Sequence, residues 1–242
     1  MNAVSKPLQS AAEPYSGVDN LRVMRVARNY NRHLVELICR HLGPEKLVCP
    51  ILDAGAGLGV FARALRQRGF DVMALEPDEA MAHDLAKDGF TTFTSPQSMA
   101  GYNLGAMYSL NVLEHIEDDV AALKQWRAAM KPGAPLFIYV PAFQHLYSPM
   151  DRLVGHYRRY TRASLCKALE AAGFRVQASQ YADSIGYAAS WPLKFSDPHI
   201  REGSVGFYDR YLFPLSAALH PILGKVLGKN VWALAFNRGH AE

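Results

Sequence analysis

The apolar positions of this chain change period repeatedly, and the changes follow one order. Short continuous apolar runs at 49–54, 71–75, 91–94, 105–110 and 135–140 predict strands, and the stretches 60–68, 79–87 and 118–130 between them are apolar at helical spacing. Strand and helix in alternation need crossover connections, so the pattern predicts an α/β fold: a Rossmann-like doubly wound sheet, mostly parallel, with helices on both faces. Upstream, Leu21, Met24, Val26, Leu34, Leu37 and Ile38 recur at helical spacing over 19–41, with a break expected near Asn29 to Asn31 and a stop at Gly43-Pro44. Downstream, Thr161 is placed to cap a helix over 162–172, Gly173 to end it, and 174–181 and 231–236 read as two further strands. The residues between those strands, about 184–228, carry many aromatics and Pro192, Pro198, Pro214 and Pro221. They are too apolar for a surface loop and are expected to pack as a helical lid.

The first 17 residues are small, polar and interrupted by two prolines, which reads as a flexible leader ahead of a single domain over 18–242. At 242 residues, half of them hydrophobic, the chain can bury a substantial core. Its formal charge of +4 is spread without a basic block, so nothing points to nucleic acid as a partner. Cys39, Cys49 and Cys166 are odd in number and widely spaced, which suits reduced, buried structural thiols rather than a disulfide framework or a zinc site. No apolar run reaches the ~18 residues of a membrane span, and the leader lacks the core of a signal peptide. The expectation is a soluble, cytoplasmic protein acting on a small molecule; the oligomeric state is not readable.

The chemistry starts at "ILDAGAGLG", where Gly55, Gly57 and Gly59 follow an apolar run and precede a helix. Glycine there lets the chain turn sharply and bring its amides close to a ligand. A dinucleotide fingerprint would place a third glycine at position 60, which is Val60; the pattern here is G-x-G-x-G. Glu76 closes the second predicted strand about twenty residues on, where an acid can take both hydroxyls of a ribose. A nucleoside whose tail lies over the glycine loop satisfies both features without a pyrophosphate.

These segments resemble the class I S-adenosylmethionine-dependent methyltransferases: "LDAGAGLG" their first motif, "ALEPDEAM" their second, "SLNVLEHIEDD" the exit of their fourth strand and "MKPGAPLFIYV" the approach to their fifth. The resemblance implies seven strands, with 231–236 inserted antiparallel. It implies S-adenosyl-L-methionine as cofactor, with Gly55, Ala56, Gly57 and Gly59 along the methionine portion and Asp53 orienting the loop. It further places Glu76 on the ribose, Pro77 beside the adenine, Ser95 or Gln97 near the adenine amino group, and Asn111 and His115 around the pocket. Tyr30 and Asn31 would close over it from the leading helix.

The stretch "VPAFQHLYSPMDRLVGHYRRYT", 140–161, follows the fifth strand and so falls at the same sheet edge. It resembles a segment of a bacterial subgroup in which "VPA", an Asp and "GH-x-RRY" recur in order. His156 is the expected general base or acceptor-positioning group, with Tyr160 beside it, and Arg158 or Arg159 the expected partner of an anionic part of the substrate. Some relatives in the ubiquinone pathway hold a divalent metal with an E-x-x-E-H cluster; here Asn111 replaces the first acid, so no metal is expected and Glu114 and His115 are read as pocket residues. The function implied is methyl transfer to an oxygen or nitrogen of a small, partly hydrophobic or anionic acceptor. A nicotinamide-dependent reductase and a non-catalytic S-adenosylmethionine-binding protein are the alternatives.

Overall fold

The computed structural model describes residues 18–43, 49–99, 101–193 and 202–239. The expected leader lies outside the described residues. Two helices come first, α1 (Val18–Met24) and α2 (Arg28–Leu42), then β1 (Ile51–Ala54), α3 (Val60–Arg66), β2 (Val72–Leu75), α4 (Glu79–Lys87) and β3 (Thr92–Phe93). The second half adds β4 (Ala106–Leu110), α5 (Asp119–Ala128), β5 (Pro135–Pro141), α6 (Pro149–Leu153), α7 (Arg162–Ala171) and β6 (Phe174–Ala182). Between β6 and the last strand lie α8 (Ser184–Leu193), α9 (Glu202–Phe207), a π-helical turn Tyr208–Leu212 and α10 (Phe213–Leu223), followed by β7 (Asn230–Asn237).

The seven strands form one sheet in the order β3-β2-β1-β4-β5-β7-β6, and β7 alone runs antiparallel to its neighbours. Alternation across the pleat explains the continuous apolar runs. On β1, Leu52 faces a core shared with Leu123 and Trp126 of α5 and Leu165 and Leu169 of α7, while Ile51 faces a core shared with Leu34 and Ile38 of α2 and Leu65 of α3. Both faces are covered, so the inner strands need apolar residues at every position. β6, on the sheet edge, instead exposes Arg175 and Gln177 and carries an irregularity between Val176 and Ala178, features that blunt an open edge.

The helix caps follow from short-range chemistry. Thr161 caps α7 and reciprocates with Ser164, Asp78 caps α4 through the Met81 amide, and Asp118 caps α5 through Ala121. The leading helical region does break, but at Arg25 to Ala27 rather than at Asn29 to Asn31, because Asp209 accepts the Asn29 and Tyr30 amides at 3.0 and 2.8 Å and supplies the partners a helix start lacks. The cysteines are free but only half-buried: Cys49 sulfur lies 2.7 Å from the Lys131 ammonium, and Cys39 meets Arg68.

Candidate active site

Four parallel-running strands end on the same edge of the sheet, and each leaves it through a residue with positive φ: Gly55 after β1, Asn111 after β4, Phe143 two residues past β5 and Asp183 after β6. Three of these are not glycine, and such backbone costs about 1–3 kcal/mol at a non-glycine residue, so its repetition on one edge marks the edge as specialised. Asn103 is the other described non-glycine residue of this kind. Gly55 has no room for a side chain, because an added Cβ would lie 2.3 Å from Val112.

The glycine loop is tied to the second strand. Gly55 and Ala56 donate their amides to the Leu75 carbonyl at 2.8 and 3.1 Å, and Gly57 donates to Glu76 Oε2 at 2.6 Å. Glu76 Oε1 accepts the Asp78 amide at 3.0 Å. Each oxygen thus takes one amide and keeps a second lone pair, the number two vicinal hydroxyls require. Burial raises the Glu76 carboxyl above its usual range, and the two amides oppose that rise. The loop is therefore oriented by Glu76, not by Asp53 as expected. Asp53 lies beneath, facing Tyr108 and the Ala62 amide, and burial pushes its carboxyl up to about 7. Its Oδ2 and the Tyr108 hydroxyl have no partner in hydrogen-bond geometry.

Around the loop, Leu21 of α1 would lie 3.4 Å from a Cβ at Gly57, so the first helix covers it. Asn111 is exposed at its strand end and, with Tyr139, meets the Tyr30 hydroxyl. Tyr30 also packs edge-on against Tyr139 and Phe213. Ser95 accepts the Ser98 hydroxyl on its carbonyl at 2.6 Å just past β3, and Pro77 is exposed beside Glu76.

The second half of the site is a buried polar cluster. Ser148 caps α6 in a capping box with Asp151, which brings that acid inward with no exposed surface. Asp151 Oδ1 meets His156 Nδ1 at 2.7 Å, and Arg159 closes on both carboxylate oxygens at 2.8 Å. Burial alone would raise the Asp151 carboxyl; hydrogen bonds from His156 and Arg159, with the guanidinium charge, hold it well below the usual range. His156 Nε2 then points toward Glu114 at 3.8 Å, and its ring lies edge-on to His115 at 4.5 Å between centroids. Neither Glu114 oxygen has a hydrogen-bond partner among the described residues, and burial lifts that carboxyl to about 8. Burial and the neighbouring His156 push the His115 imidazole down to about 4.

The arginines do not wait for a substrate. Arg159 is taken by Asp151, and Arg158 donates to the Glu117 carbonyl and pairs with Asp119 at 3.2 Å. Tyr160 is 2% exposed, its hydroxyl 2.7 Å from Asp119, so it braces the loop rather than meeting a ligand. The hold of Asp151 on His156 was not foreseen from the sequence; the S-P-x-D capping box was the available signal. It also missed Asp183, which gathers the Tyr208 and Ser216 hydroxyls and the Gly186 amide, and Lys229, half-buried beside it.

Glu114, His115 and His156 together place one carboxylate oxygen and two ring nitrogens within 4.8 Å of one another. That is a cation-ligand set in type and spacing, and two orphaned carboxylate oxygens at zero exposure fit it. His156 joins Glu114 and His115 from a different segment of the chain, a meeting not anticipated from the sequence.

A family model described as "Methyltransferase domain" matches residues 26–179, which contain the glycine loop, Glu76 and the buried cluster. The chain belongs to this methyltransferase-domain family. A ubiquinone biosynthesis O-methyltransferase of Methylobacterium sp. (strain 4-46) is 29% identical over 139 residues, 49% of this chain and 55% of that protein. The chain thus spans about half the length of the curated relatives it matches. Among solved structures, an S-adenosylmethionine-dependent methyltransferase from Archaeoglobus fulgidus superposes with a TM-score of 0.59 at 16% identity, covering 90% of this chain and 99% of that one. The Burkholderia thailandensis 1,6-didemethyltoxoflavin-N1-methyltransferase, with 1,6-didemethyltoxoflavin and S-adenosylhomocysteine bound, gives 0.56 at 19% identity over 97% of this chain and 93% of that one. The methyltransferase fold, with its antiparallel last strand, is therefore that of this chain.

Proposed function

We propose that the chain binds S-adenosyl-L-methionine at the glycine loop and Glu76 and serves methyl transfer to an oxygen of a small-molecule acceptor. The observation that carries the reading is the Gly57 amide on Glu76 at 2.6 Å, which joins the carboxylate assigned here to the ribose with the loop assigned to the methionine portion. The sulfonium of the cofactor supplies an already activated methyl group, which leaves the protein mainly a task of alignment. The chain's own contribution is proton handling: Asp151 fixes His156 through Nδ1, and Nε2 takes the proton that a hydroxyl acceptor gives up. Since both arginines have protein partners, Lys229 beside Asp183 is the better candidate to meet an acidic group on the acceptor. The O-methyltransferase relatives support oxygen over nitrogen. Calorimetry with S-adenosylhomocysteine, followed by transfer of labelled methyl groups to a metabolite extract, tests the reading; a folded protein that binds neither cofactor form overturns it.

The unpartnered oxygens of Glu114 favour a second reading of the same cluster, in which Glu114, His115 and His156 hold a divalent cation. Such an ion would act as a Lewis acid on the acceptor oxygen. Isothermal titration of the metal-stripped protein with magnesium, zinc and manganese, compared with Glu114→Gln, separates the two.

A further inference from the structure

From Phe207, at the end of α9, an apolar stripe runs along the outward side of the π-helical turn and α10. Phe207, Tyr211, Leu215, Ala218 and Ile222 follow at intervals of three or four residues, which is one face of a helix, Val226 follows in the turn after α10, and all six are exposed. Phe207, Tyr211, Leu215, Ile222 and Val226 are 60%, 57%, 53%, 72% and 69% exposed. Over about 20 residues such a face runs about 30 Å. A surface helix ordinarily turns this stripe inward, and contiguous apolar surface of this extent marks a contact with something else. The charged residues from 195 to 209 are Asp197, Arg201, Glu202 and Asp209. The first two lie outside the described residues, Glu202 precedes the stripe, and Asp209 turns inward to hold α2, so it does not interrupt.

The charges flanking the stripe decide what covers it. Arg210 and Lys225 are exposed on the stripe's own segment, Arg210 lying over the Tyr211 ring at 5.5 Å. Exposed Arg162 donates to the Lys225 carbonyl, and Arg40 of α2 faces His220. Across 202–229 the sole exposed acid is Glu202. A two-fold pairing of copies through this face would set cations against cations. An anionic bilayer instead meets both features, since an apolar stripe enters the acyl boundary while arginine and lysine reach lipid phosphates.

We propose that the outer face of α9 and α10 seats the protein on the surface of an anionic lipid bilayer, lying in the interface without crossing it. No helix among the described residues is long and apolar enough to cross. The inference is independent of which acceptor the site takes.

Vesicle flotation of the full chain tests it. Phosphatidylcholine vesicles that contain phosphatidylglycerol should carry the protein to the top at low salt, and vesicles of phosphatidylcholine alone should carry far less. The double substitution L215S/I222S should lower the bound fraction on the order of tenfold. R210E/K225E should abolish the preference for phosphatidylglycerol. Circular dichroism and thermal melts matching wild type keep these variants interpretable. Failure of folded wild-type protein to float, or equal flotation of L215S/I222S, overturns the proposal. So does a wild-type dimer that L215S/I222S converts to monomer without any lipid association, which would assign the face to a second copy.

Discussion

Asp151 grips His156 and Arg159 at once, Nδ1 of the imidazole at 2.7 Å and two guanidinium nitrogens at 2.8 Å. One carboxylate thereby selects the tautomer that leaves His156 Nε2 free to accept a proton. Replacing His156 with Ala should lower turnover on the order of 10²–10⁴-fold while leaving S-adenosylhomocysteine affinity within about twofold. Unchanged turnover in labelled-methyl assays would remove His156 from the chemistry.

The same clasp makes Asp151 a stability residue. Asp151→Asn would strand the Arg159 side chain, only 5% exposed, without its counter-charge. The expected loss is about 3–5 kcal/mol, read from urea denaturation. Because hydrogen bonds hold the native carboxyl below its unfolded value, its contribution is full above the ordinary carboxylate range and fades as pH falls. The gap between wild type and Asp151→Asn should accordingly narrow in acid.

Glu76→Ala removes the acceptor for the Gly57 and Asp78 amides together with the proposed ribose ligand. Cofactor affinity should drop by about tenfold to a hundredfold, equivalent to the loss of one or two hydrogen bonds to a charged group. Glu76→Gln keeps one acceptor oxygen and should fall between. Calorimetry that finds all three proteins equal would detach Glu76 from the cofactor.

Asp53 predicts an opposite pH trend. Its folded carboxyl lies at about 7 against an ordinary 3.8, so the native state binds one proton more than the unfolded state between those values. Stability from this group is full below the lower value and falls as pH rises through the upper, with a slope of about 1.4 kcal/mol per pH unit at most. Asp53→Asn cannot ionise, so its stability relative to wild type should climb between pH 4 and 7 and level off above. A difference in melting temperature that is flat with pH would contradict the assignment.

Period and punctuation carried most of the fold into view. The run 79–87 forms α4 with those bounds, because Asp78 and Glu79 mark its start by local chemistry. Thr161 likewise caps α7 as expected. The meeting of the glycine loop with Glu76 was legible because it depends on backbone and on one strand end. The position of the break before α2 was not, since its determinant, Asp209, is 180 residues away from Asn29. The arginines were misread for the same reason: their type suggests anion binding, but their partners Asp151 and Asp119 are fixed only by folding. Glu114, His115 and His156 join through contacts between two loops, and spacing along the chain does not encode that meeting.

β6 touches the sheet through β7 alone, and β7 is the last of the seven strands in chain order. During synthesis the first five strands can pair as they emerge, whereas β6 must wait, its inner edge open, until residues 230–237 slot in beside β5. Closure of the sheet therefore follows the synthesis of β7. A nascent chain stalled before residue 230 would leave two strand edges facing one another with nothing between them.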